Sequence, residues 1–272
     1  MGTVLKKSER LELILQKLEM CGVVSVSDLS REFGTSVVTI RKDLQILEKQ
    51  KEISRVPGGA VLLAEDRERK ALLYGANTKN LELKHAVAKR AAELIEDKDS
   101  LVVTCGMTPH LTLRYADTCS NLKVVTESLM LAEDLCRRPD YQVIILGGKI
   151  DKKDFFVHGC DALHQVNCYM ANKAIVTMDG VDPDAGLTTL RNEGVDVLRS
   201  ILRRARMRIL VADSTKIGLE SHCRVGDISY VDILVTNWTQ EPEKQKILKR
   251  ISDAGVRVLY ANEDNVRRVG EV

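Results

Sequence analysis

The fold of the first sixty residues is decided by SVVTIRKDLQILEK, the stretch at residues 36–49. Ser36 is a preferred N-cap residue, and apolar side chains follow it at helical spacing. The buried face of the predicted helix consists of Val37, Ile40, Leu44 and Leu47. The opposite face carries Val38, Lys42, Gln45 and Lys49. A short helix that presents a cation, an amide and small side chains outward is typical of a recognition helix in the DNA major groove.

Two further helices are predicted before this stretch. The first spans residues 8–20 and ends at Gly22. Its apolar stripe, at positions i, i+3, i+4 and i+7, consists of Leu11, Ile14, Leu15 and Leu18. The second helix is short, with Ser27 as its N-cap and Gly34 as its stop. Its buried side consists of Val26, Leu29 and Phe33.

The segment ISRVPGGAV at residues 53–61 predicts a wing, because two short β-prone runs flank a Pro-Gly-Gly turn. Arg55 and the backbone at Gly58 would meet phosphates or a minor groove. Residues 1–60 hold ten Lys and Arg against eight Asp and Glu, a net charge of +2, so charge alone also allows a helical bundle with a solvated face. The order of elements instead predicts a winged helix-turn-helix over residues 1–62.

These residues resemble the signature of the DeoR family of transcriptional regulators. The family's third helix resembles T-I-R-R-D-L and its wing ends in H-G-G-A, where this chain has TIRKDL at residues 39–44 and PGGA at residues 57–60. Lys42 and Pro57 are therefore departures, which leave base preference open. The resemblance implies that operator DNA is contacted by Ser36, Thr39, Arg41, Lys42, Arg55 and Gly58. Asp43 is expected to orient a neighbouring cation or cap structure, since a carboxylate facing phosphate would be repelled.

The composition of the whole chain sets further limits. With 272 residues and 44% hydrophobic residues, two domains are expected, and a formal net charge of +2 requires that DNA affinity come from a local patch. The seven cysteines form no CxxC pair, and neither an apolar leader nor an 18-residue apolar run is present. The sequence therefore predicts a cytoplasmic protein with free thiols and no membrane segment.

Residues 63–79 are predicted to link the two domains. They include the mixed charge run EDRERK at residues 65–70, without strong apolar periodicity. A solvated helical tether and a flexible loop both fit this composition.

From residue 80 to residue 272, apolar strands alternate with helices. This rhythm predicts an α/β domain with a mainly parallel sheet covered on both faces. The predicted strands lie at residues 101–104, 122–126, 142–146, 173–177, 208–212, 231–236 and 256–260. Ligands of such sheets bind at the carboxyl ends of the strands.

Small and polar residues follow five of these strands and predict an effector pocket. Glycine permits close backbone approach, and a helix N-terminus attracts anions. The candidate residues are Gly106, Met107, Thr108, Thr126, Glu127, Gly147, Gly148, Asp179, Gly180 and Lys216. Turn chemistry competes as an explanation for each of them, above all at residues 147–148.

The region also resembles the DeoR C-terminal sensor domain, which is similar in fold to ribose-5-phosphate isomerases and coenzyme A transferases. The family motifs D-x-G-T-T, T-N-N/S, G-G, G-V-D and D-x-S/T-K-x-G fall on residues 104–108, 126–128, 147–148, 180–182 and 213–218. The resemblance implies a repressor of a carbohydrate-metabolism operon that senses a small metabolite, commonly a phosphorylated sugar, with Lys216 near its phosphate. Met107 removes a hydroxyl donor and Glu127 places a carboxylate where an amide is usual.

Three other interpretations stay open. The isomerase-like fold could make the chain a sugar-phosphate-processing enzyme. Its catalytic groups would come from Asp179, Asp182, Glu193, Asp213 and Lys216. A metal could be held by His158, Cys160, Asp161 and His164, although their spacing matches no standard zinc pattern. A scaffold protein would bind neither DNA nor a small molecule.

The favoured hypothesis is a regulator with no catalytic residues, metal or cofactor. Neither G-x-G-x-x-G nor G-x-x-x-x-G-K-S/T occurs in the sequence, so nucleotide binding has no support. The expected partners are double-stranded operator DNA and a small-molecule effector. A homo-oligomer is expected, because repeated half-sites call for paired DNA-binding domains.

Overall fold

The computed structural model describes four stretches of the chain. They are residues 7–21, 23–50, 53–62 and 80–261. The chain divides into two compact units, Met1–Glu82 and Leu83–Val272. The linker expected at residues 63–79 lies outside the described residues.

Three helices and a small antiparallel sheet build the first unit. Its elements are α1 (Lys7–Cys21), β1 (Val23–Ser25), α2 (Val26–Glu32), α3 (Val37–Lys49), β2 (Ile53–Val56) and β3 (Gly59–Leu62). The sheet has the order β1-β3-β2, so β2 and β3 form the predicted wing and β1 joins it to the helices. This is a winged helix-turn-helix.

The core of the first unit follows the predicted stripes with one exception. Ile40, Leu44 and Leu47 of α3 are at most 1% exposed, and they pack in one cluster with Ile14 and other residues of α1. The prediction that Val37 joins this face is wrong, since its side chain is 39% exposed. Val37 is the first residue of α3, and the buried face begins only at Ile40, one helical turn further along.

The N-cap of α2 also differs from the prediction. Ser25, not Ser27, accepts the backbone N–H of Asp28 at 3.1 Å. Ser27 lies within the helix, and its hydroxyl is 2.8 Å from that of Ser25. The helix begins earlier than expected because the chain passes directly from β1 into α2.

The wing needs glycine at two neighbouring positions for different physical reasons. Gly58 has φ +83° but open space around a would-be Cβ, whereas a Cβ on Gly59 would lie 2.0 Å from the carbonyl oxygen of Val24. We expect Gly58→Ala to lower the free energy of unfolding of the first unit by about 1 kcal/mol through left-handed strain. Gly59→Ala should cost more, because β1 and β3 must separate. Urea unfolding followed by circular dichroism measures which variant loses more stability. Equal losses for the two variants would contradict the prediction.

The second unit is built around a seven-stranded sheet. Its helices are α4 (Leu81–Ala92), α5 (Met107–Tyr115), α6 (Leu129–Leu135), α7 (Cys160–Val166), α8 (Val195–Arg204) and α9 (Pro242–Asp253). Its strands are β4 (Ser100–Val103), β5 (Lys123–Thr126), β6 (Gln142–Ile145), β7 (Lys149–Asp151), β8 (Phe156–His158), β9 (Ala171–Val176), β10 (Gly180–Asp182), β11 (Gly186–Thr189), β12 (Ala205–Val211), β13 (Cys223–Gly226), β14 (Ile233–Thr236) and β15 (Arg257–Tyr260).

The large sheet is parallel throughout, with the order β15-β14-β12-β9-β4-β5-β6. Alternate side chains enter two separate cores: Val102 and Leu210 belong to one cluster, and Leu101 and Ile209 belong to the other. Burial on both faces explains why these strands read as continuous apolar runs, and it confirms the predicted α/β class with a covered parallel sheet. The hairpin β7-β8 and the antiparallel sheet β10-β11-β13 were not predicted.

The topology locates a crevice in this sheet. From β4 the chain adds β5 and β6 on one side, and then returns to place β9 on the other side. In open α/β sheets, ligands bind where the strand order reverses, outside the carboxyl ends. None of the helices in the described part of the chain has the length and apolar composition that a membrane span requires.

Candidate DNA-binding and effector sites

The N-terminus of α3 is capped as the sequence predicts. The Ser36 hydroxyl accepts the backbone N–H of Thr39 at 3.1 Å and lies 2.9 Å from the Thr39 hydroxyl. Ser36, Arg41 and Lys42 are exposed, and neither cation forms an ion pair with any residue that the structure describes. Val38 lies on the same outer side and is 60% exposed. Two unpaired cations and a small apolar side chain thus stand on one exposed helix surface.

Asp43 faces the opposite way and is 2% exposed. Its carboxylate meets the guanidinium of Arg10 in α1 through two contacts, Nε to Oδ2 at 2.5 Å and Nη2 to Oδ1 at 3.1 Å. Asp43 therefore orients a neighbouring cation, as expected, and it fixes α3 against α1 rather than contacting a ligand.

The two wing residues predicted to contact DNA have different surroundings. Gly58 forms the exposed turn between β2 and β3. Arg55 is exposed, but Glu48 of α3 accepts its backbone N–H at 3.2 Å and lies 3.7 Å from its guanidinium. A phosphate would have to compete with Glu48 for Arg55.

A cavity opens at the carboxyl edge of the large sheet. Cys105 lines it from the loop after β4, Glu127 from the end of β5, and residues 177–179 from the end of β9. Thr189 of β11, and Arg191 and Glu193 in the loop behind it, also contribute polar side chains to the lining. The cavity lies where β4 separates β5 from β9, which is the position that the topology predicts.

Glu127 is the most unusual polar group in this cavity. Its side chain is buried, at 4% exposure of the residue, and its Oε1 accepts the backbone N–H of Cys105 at 2.9 Å. Its Oε2 is also buried and has no hydrogen-bond partner among the described residues. Burial raises the pKa of the Glu127 carboxyl to about 7, against the opposing effects of the Cys105 backbone N–H and the Arg191 charge.

Cys105 is not an activated nucleophile. Its Sγ lies 3.4 Å from the carbonyl oxygen of Asp154, and burial raises the pKa of the thiol to about 12. The group is therefore a neutral thiol at physiological pH, and it behaves as a small lining side chain.

Arg191 supplies positive charge to the cavity. Its Nη1 lies 3.2 Å from Oδ2 of Asp154, and its guanidinium stacks over the ring of Phe156 at 4.7 Å from the centroid. An ion pair on one side and an aromatic ring on the other hold the guanidinium in place. The sequence reasoning did not select Arg191, because a lone arginine in a loop carries no periodicity or motif.

Asp179 and Lys216 form a second polar group. Oδ2 of Asp179 accepts the Thr189 hydroxyl at 3.0 Å and the Leu190 backbone N–H at 2.9 Å, and its Oδ1 lies 3.6 Å from Nζ of Lys216. Lys216 belongs to a single 3-10 turn capped by Asp213. Lys216 itself does not line the cavity and reaches it through Asp179.

The other predicted effector residues are not part of the lining of this cavity. Gly106 is the N-cap of α5, and a Cβ there would lie 2.7 Å from Cγ2 of Thr177, while Met107 and Thr108 form the first turn of that helix. Gly180 begins β10, where a Cβ would lie 2.4 Å from the Leu219 carbonyl oxygen.

Thr126, Gly147 and Gly148 do not line the cavity. The Thr126 hydroxyl donates to the Val103 carbonyl at 2.7 Å and accepts the Ser128 N–H at 3.0 Å, so it ties two strand ends together. Gly147 and Gly148 form the turn between β6 and β7, where the backbone N–H of Gly147 donates to Gln165 at 2.9 Å. Turn chemistry explains both glycines.

The candidate metal cluster does not assemble. His158 ends β8, whereas Cys160, Asp161 and His164 belong to α7, and these three are exposed. Within the described residues, no three side chains of ligand type lie close enough together to hold a metal ion.

Two protein families match this sequence. The DeoR-like helix-turn-helix domain matches residues 10–66, and the DeoR C terminal sensor domain matches residues 79–238. The two matches correspond to the two units of the chain, and the sensor-domain match alone spans more than half of its residues.

Curated relatives resemble the chain over nearly its whole length. The glycerol-3-phosphate regulon repressor of Escherichia coli is 28% identical over 93% of this chain and 99% of its own length. The HTH-type transcriptional regulator GolR of Listeria innocua is 28% identical over 93% and 98%, and the HTH-type transcriptional repressor GlcR of Bacillus subtilis is 27% identical over 95% and 98%. These relatives are named as regulators of transcription, not as enzymes.

Solved structures resemble the chain at low sequence identity. Ribose 5-phosphate isomerase A from Neisseria gonorrhoeae aligns over 50% of this chain and 52% of its own, at 17% identity and a TM-score of 0.35. A 4-hydroxybutyrate CoA-transferase from Porphyromonas gingivalis aligns over 69% and 56%, at 16% identity and a TM-score of 0.38. Likeness at this level says nothing about ligand or chemistry. The two family matches and the full-length relatives together establish that the chain belongs to the DeoR family of transcriptional regulators.

Proposed function

We propose that this protein represses a carbohydrate-related operon and that a phosphorylated sugar or polyol in the cavity of the second unit modulates its binding to operator DNA. The observation that carries the effector half of this proposal is the cavity at the carboxyl edge of β4, β5 and β9. Three strand ends and the loop behind β11 bring polar side chains to one place, and the ionisable carboxyl and guanidinium groups come from the ends of β5 and β9 and from that loop. Such convergence is typical of a ligand site.

The charges in the cavity fit a ligand with both hydroxyl and anionic groups. Asp179 is a carboxylate acceptor for hydroxyl donors, whereas Arg191 and the adjacent Lys216 favour an anion. A phosphorylated sugar or polyol carries both kinds of group. The name of the Escherichia coli relative, a glycerol-3-phosphate regulon repressor, makes this class a natural starting point.

The DNA half of the proposal assigns the contacts to α3 and the wing. Arg41 and Lys42 bind bases or phosphates in the major groove, the hydroxyls of Ser36 and Thr39 lie at the helix start, and Arg55 and Gly58 meet the backbone from the wing. The list of proposed DNA contacts is Ser36, Thr39, Arg41, Lys42, Arg55 and Gly58.

A homo-oligomer completes the proposal. Two first units would occupy repeated half-sites, and the effector would act by binding more tightly to one arrangement than to the other. Light scattering tests this point, and a monomer at concentrations that saturate the operator would contradict it.

The effector class is tested by thermal unfolding with a panel of sugar phosphates, free sugars and polyols that includes glycerol 3-phosphate. A ligand at a hundred times its dissociation constant stabilises the folded state by about 2.7 kcal/mol, so a selective rise in Tm identifies it. Arg191→Ala should weaken that ligand about 10- to 100-fold, because a charge-assisted hydrogen bond contributes about 1.5–3 kcal/mol.

Arg137→Ala is the matched control, since Arg137 forms an exposed ion pair with Glu133 and does not line the cavity. It should leave the affinity unchanged. If no phosphorylated compound stabilises the protein, or if both arginine variants bind the ligand equally well, the effector site proposed above is wrong.

A further inference from the structure

Glu127 stands where a phosphorylated ligand would be expected to meet a neutral donor. A carboxylate repels a neighbouring anion. Glu127 nevertheless lines the cavity proposed to bind the effector, and the residue is 4% exposed. The conflict disappears if the group carries a proton, because a carboxylic acid donates a hydrogen bond instead of repelling an acceptor.

The geometry distinguishes the two oxygens of this carboxyl group. Oε1 already accepts the Cys105 backbone N–H at 2.9 Å, so a proton on Oε1 would weaken this bond, whereas a proton on Oε2 leaves it intact. Oε2 is buried without a partner in the described part of the molecule. A buried polar atom with no partner costs free energy, and a proton on Oε2 both removes the buried charge and creates a donor.

We propose that Glu127, in its neutral form, is the donor that binds an anionic oxygen of the effector through Oε2, so that the effector binds together with one proton. This inference rests on the proposed function, and it names how the site recognises the anionic end of its ligand. No covalent step is involved: above neutral pH the proton comes from solvent when the ligand binds, and it returns to solvent when the ligand leaves.

The surrounding charges are compatible with this role. Arg191 is the cation whose field acts on Glu127, and its own partner is Asp154. Cys105 is a neutral thiol. The carboxyl side chains of Asp179 and Glu193 also line the cavity.

The pH dependence follows from the pKa of about 7 for Glu127. Burial raises this pKa, so the neutral form dominates below it and is lost as pH rises through it. If only the neutral form binds an anion, affinity falls about 30-fold between about pH 6 and about pH 8.5. The probe is inorganic phosphate, and its binding to the full chain is followed by calorimetry.

Glu127→Gln is the decisive variant. Because the Cys105 N–H requires an acceptor at the Oε1 position, the amide oxygen must occupy that place and the amide NH2 must occupy the place of Oε2. The variant therefore imitates the neutral acid at every pH. We expect it to bind phosphate at about pH 8.5 roughly 30-fold more tightly than the wild type does, and equally well at about pH 6.

Phosphate itself titrates in this range, but its titration is common to both proteins and cancels in the comparison. Glu127→Leu, which has no donor, should bind weakly at every pH. A ratio of wild-type to Gln-variant affinity that does not fall as pH rises, or a Gln variant that binds no better than the wild type at high pH, overturns the proposal. So does the absence of phosphate binding to both proteins.

A second measurement is independent of any ligand. The infrared spectrum of the wild type minus that of Glu127→Gln should show the carbonyl stretch of a protonated carboxylic acid at about pH 6, and this band should vanish as pH rises through about 7. If the band is missing at about pH 6, Glu127 is not a neutral donor. This conclusion does not depend on which metabolites raise Tm in the thermal-unfolding panel. If the band is present and no metabolite alters DNA binding, the proposed function fails and the protonation of Glu127 stands.

Discussion

Replacing Asp43 by alanine lowers the free energy of unfolding of the first unit by about 3–5 kcal/mol, because it removes one member of a buried ion pair. The two side chains are 10% and 3% exposed, and they meet through two contacts. Since the pair joins α1 to α3, the loss also loosens the helix proposed to bind DNA. Urea unfolding followed by circular dichroism measures the effect.

The chain provides two internal checks on this measurement. Its single tryptophan, Trp238, lies in the second unit, so the fluorescence transition should stay in place while the helix signal of the first unit shifts. Glu32→Ala removes the partner of Lys17, an ion pair whose side chains are 34% and 50% exposed. It should cost less than about 1 kcal/mol. An Asp43→Ala variant as stable as Glu32→Ala would show that the buried pair contributes nothing to holding α3.

The double variant Arg41→Ala/Lys42→Ala weakens operator binding at least about 30-fold, because each cation that contacts a base or phosphate contributes about 1–3 kcal/mol. Both side chains are exposed and without ion-pair partners among the described residues, so no ion pair that the structure describes is lost with them. The slope of log affinity against log salt should also fall by about 0.9 for each phosphate contact removed. Fluorescence anisotropy on a duplex selected by the wild-type protein measures both the operator affinity and its salt dependence.

Lys249→Ala is the matched control, because Lys249 is an exposed lysine of the second unit. It changes the net charge without touching α3, and its affinity and salt slope should equal those of the wild type. If the double variant binds like this control, α3 does not read DNA. If it loses affinity but keeps its salt slope, Arg41 and Lys42 contact bases and not phosphates.

Local patterns predicted the first unit well where a short-range rule decides the structure. The cap at Ser36 and the buried positions Ile40, Leu44 and Leu47 follow from helical spacing and capping chemistry alone. The errors at Val37 and Ser27 both lie at helix starts. Helix ends are poorly determined by periodicity, and here the preceding strand β1, with three residues, was too short to recognise.

The parallel sheet was equally predictable, since strands buried on both faces form continuous apolar runs. The small strands were not. β7, β10 and β11 have at most four residues each, and residues of β11 and the loop behind it supply part of the cavity. Their pairing depends on contacts between segments far apart in the chain, which a single sequence does not reveal.

The effector site was also predictable from the sequence only in part. The predicted residues Glu127 and Asp179 line the cavity because both follow strands that meet at the switch in strand order. Gly147 and Gly148 follow β6, the edge strand, and lie outside the lining. Arg191 enters from a loop that no motif marked. The strand order, which decides between these outcomes, became visible only in the structure.

The most direct test measures operator affinity by anisotropy with and without the metabolite that raises Tm most in the thermal panel. We predict that a saturating amount changes the affinity about 5- to 150-fold, the usual range for coupled sites, and that Arg191→Ala shifts the response to higher ligand concentration while leaving DNA binding without ligand unchanged. An operator affinity that no stabilising metabolite alters would contradict the proposal that the cavity of the second unit controls the DNA-binding helix of the first.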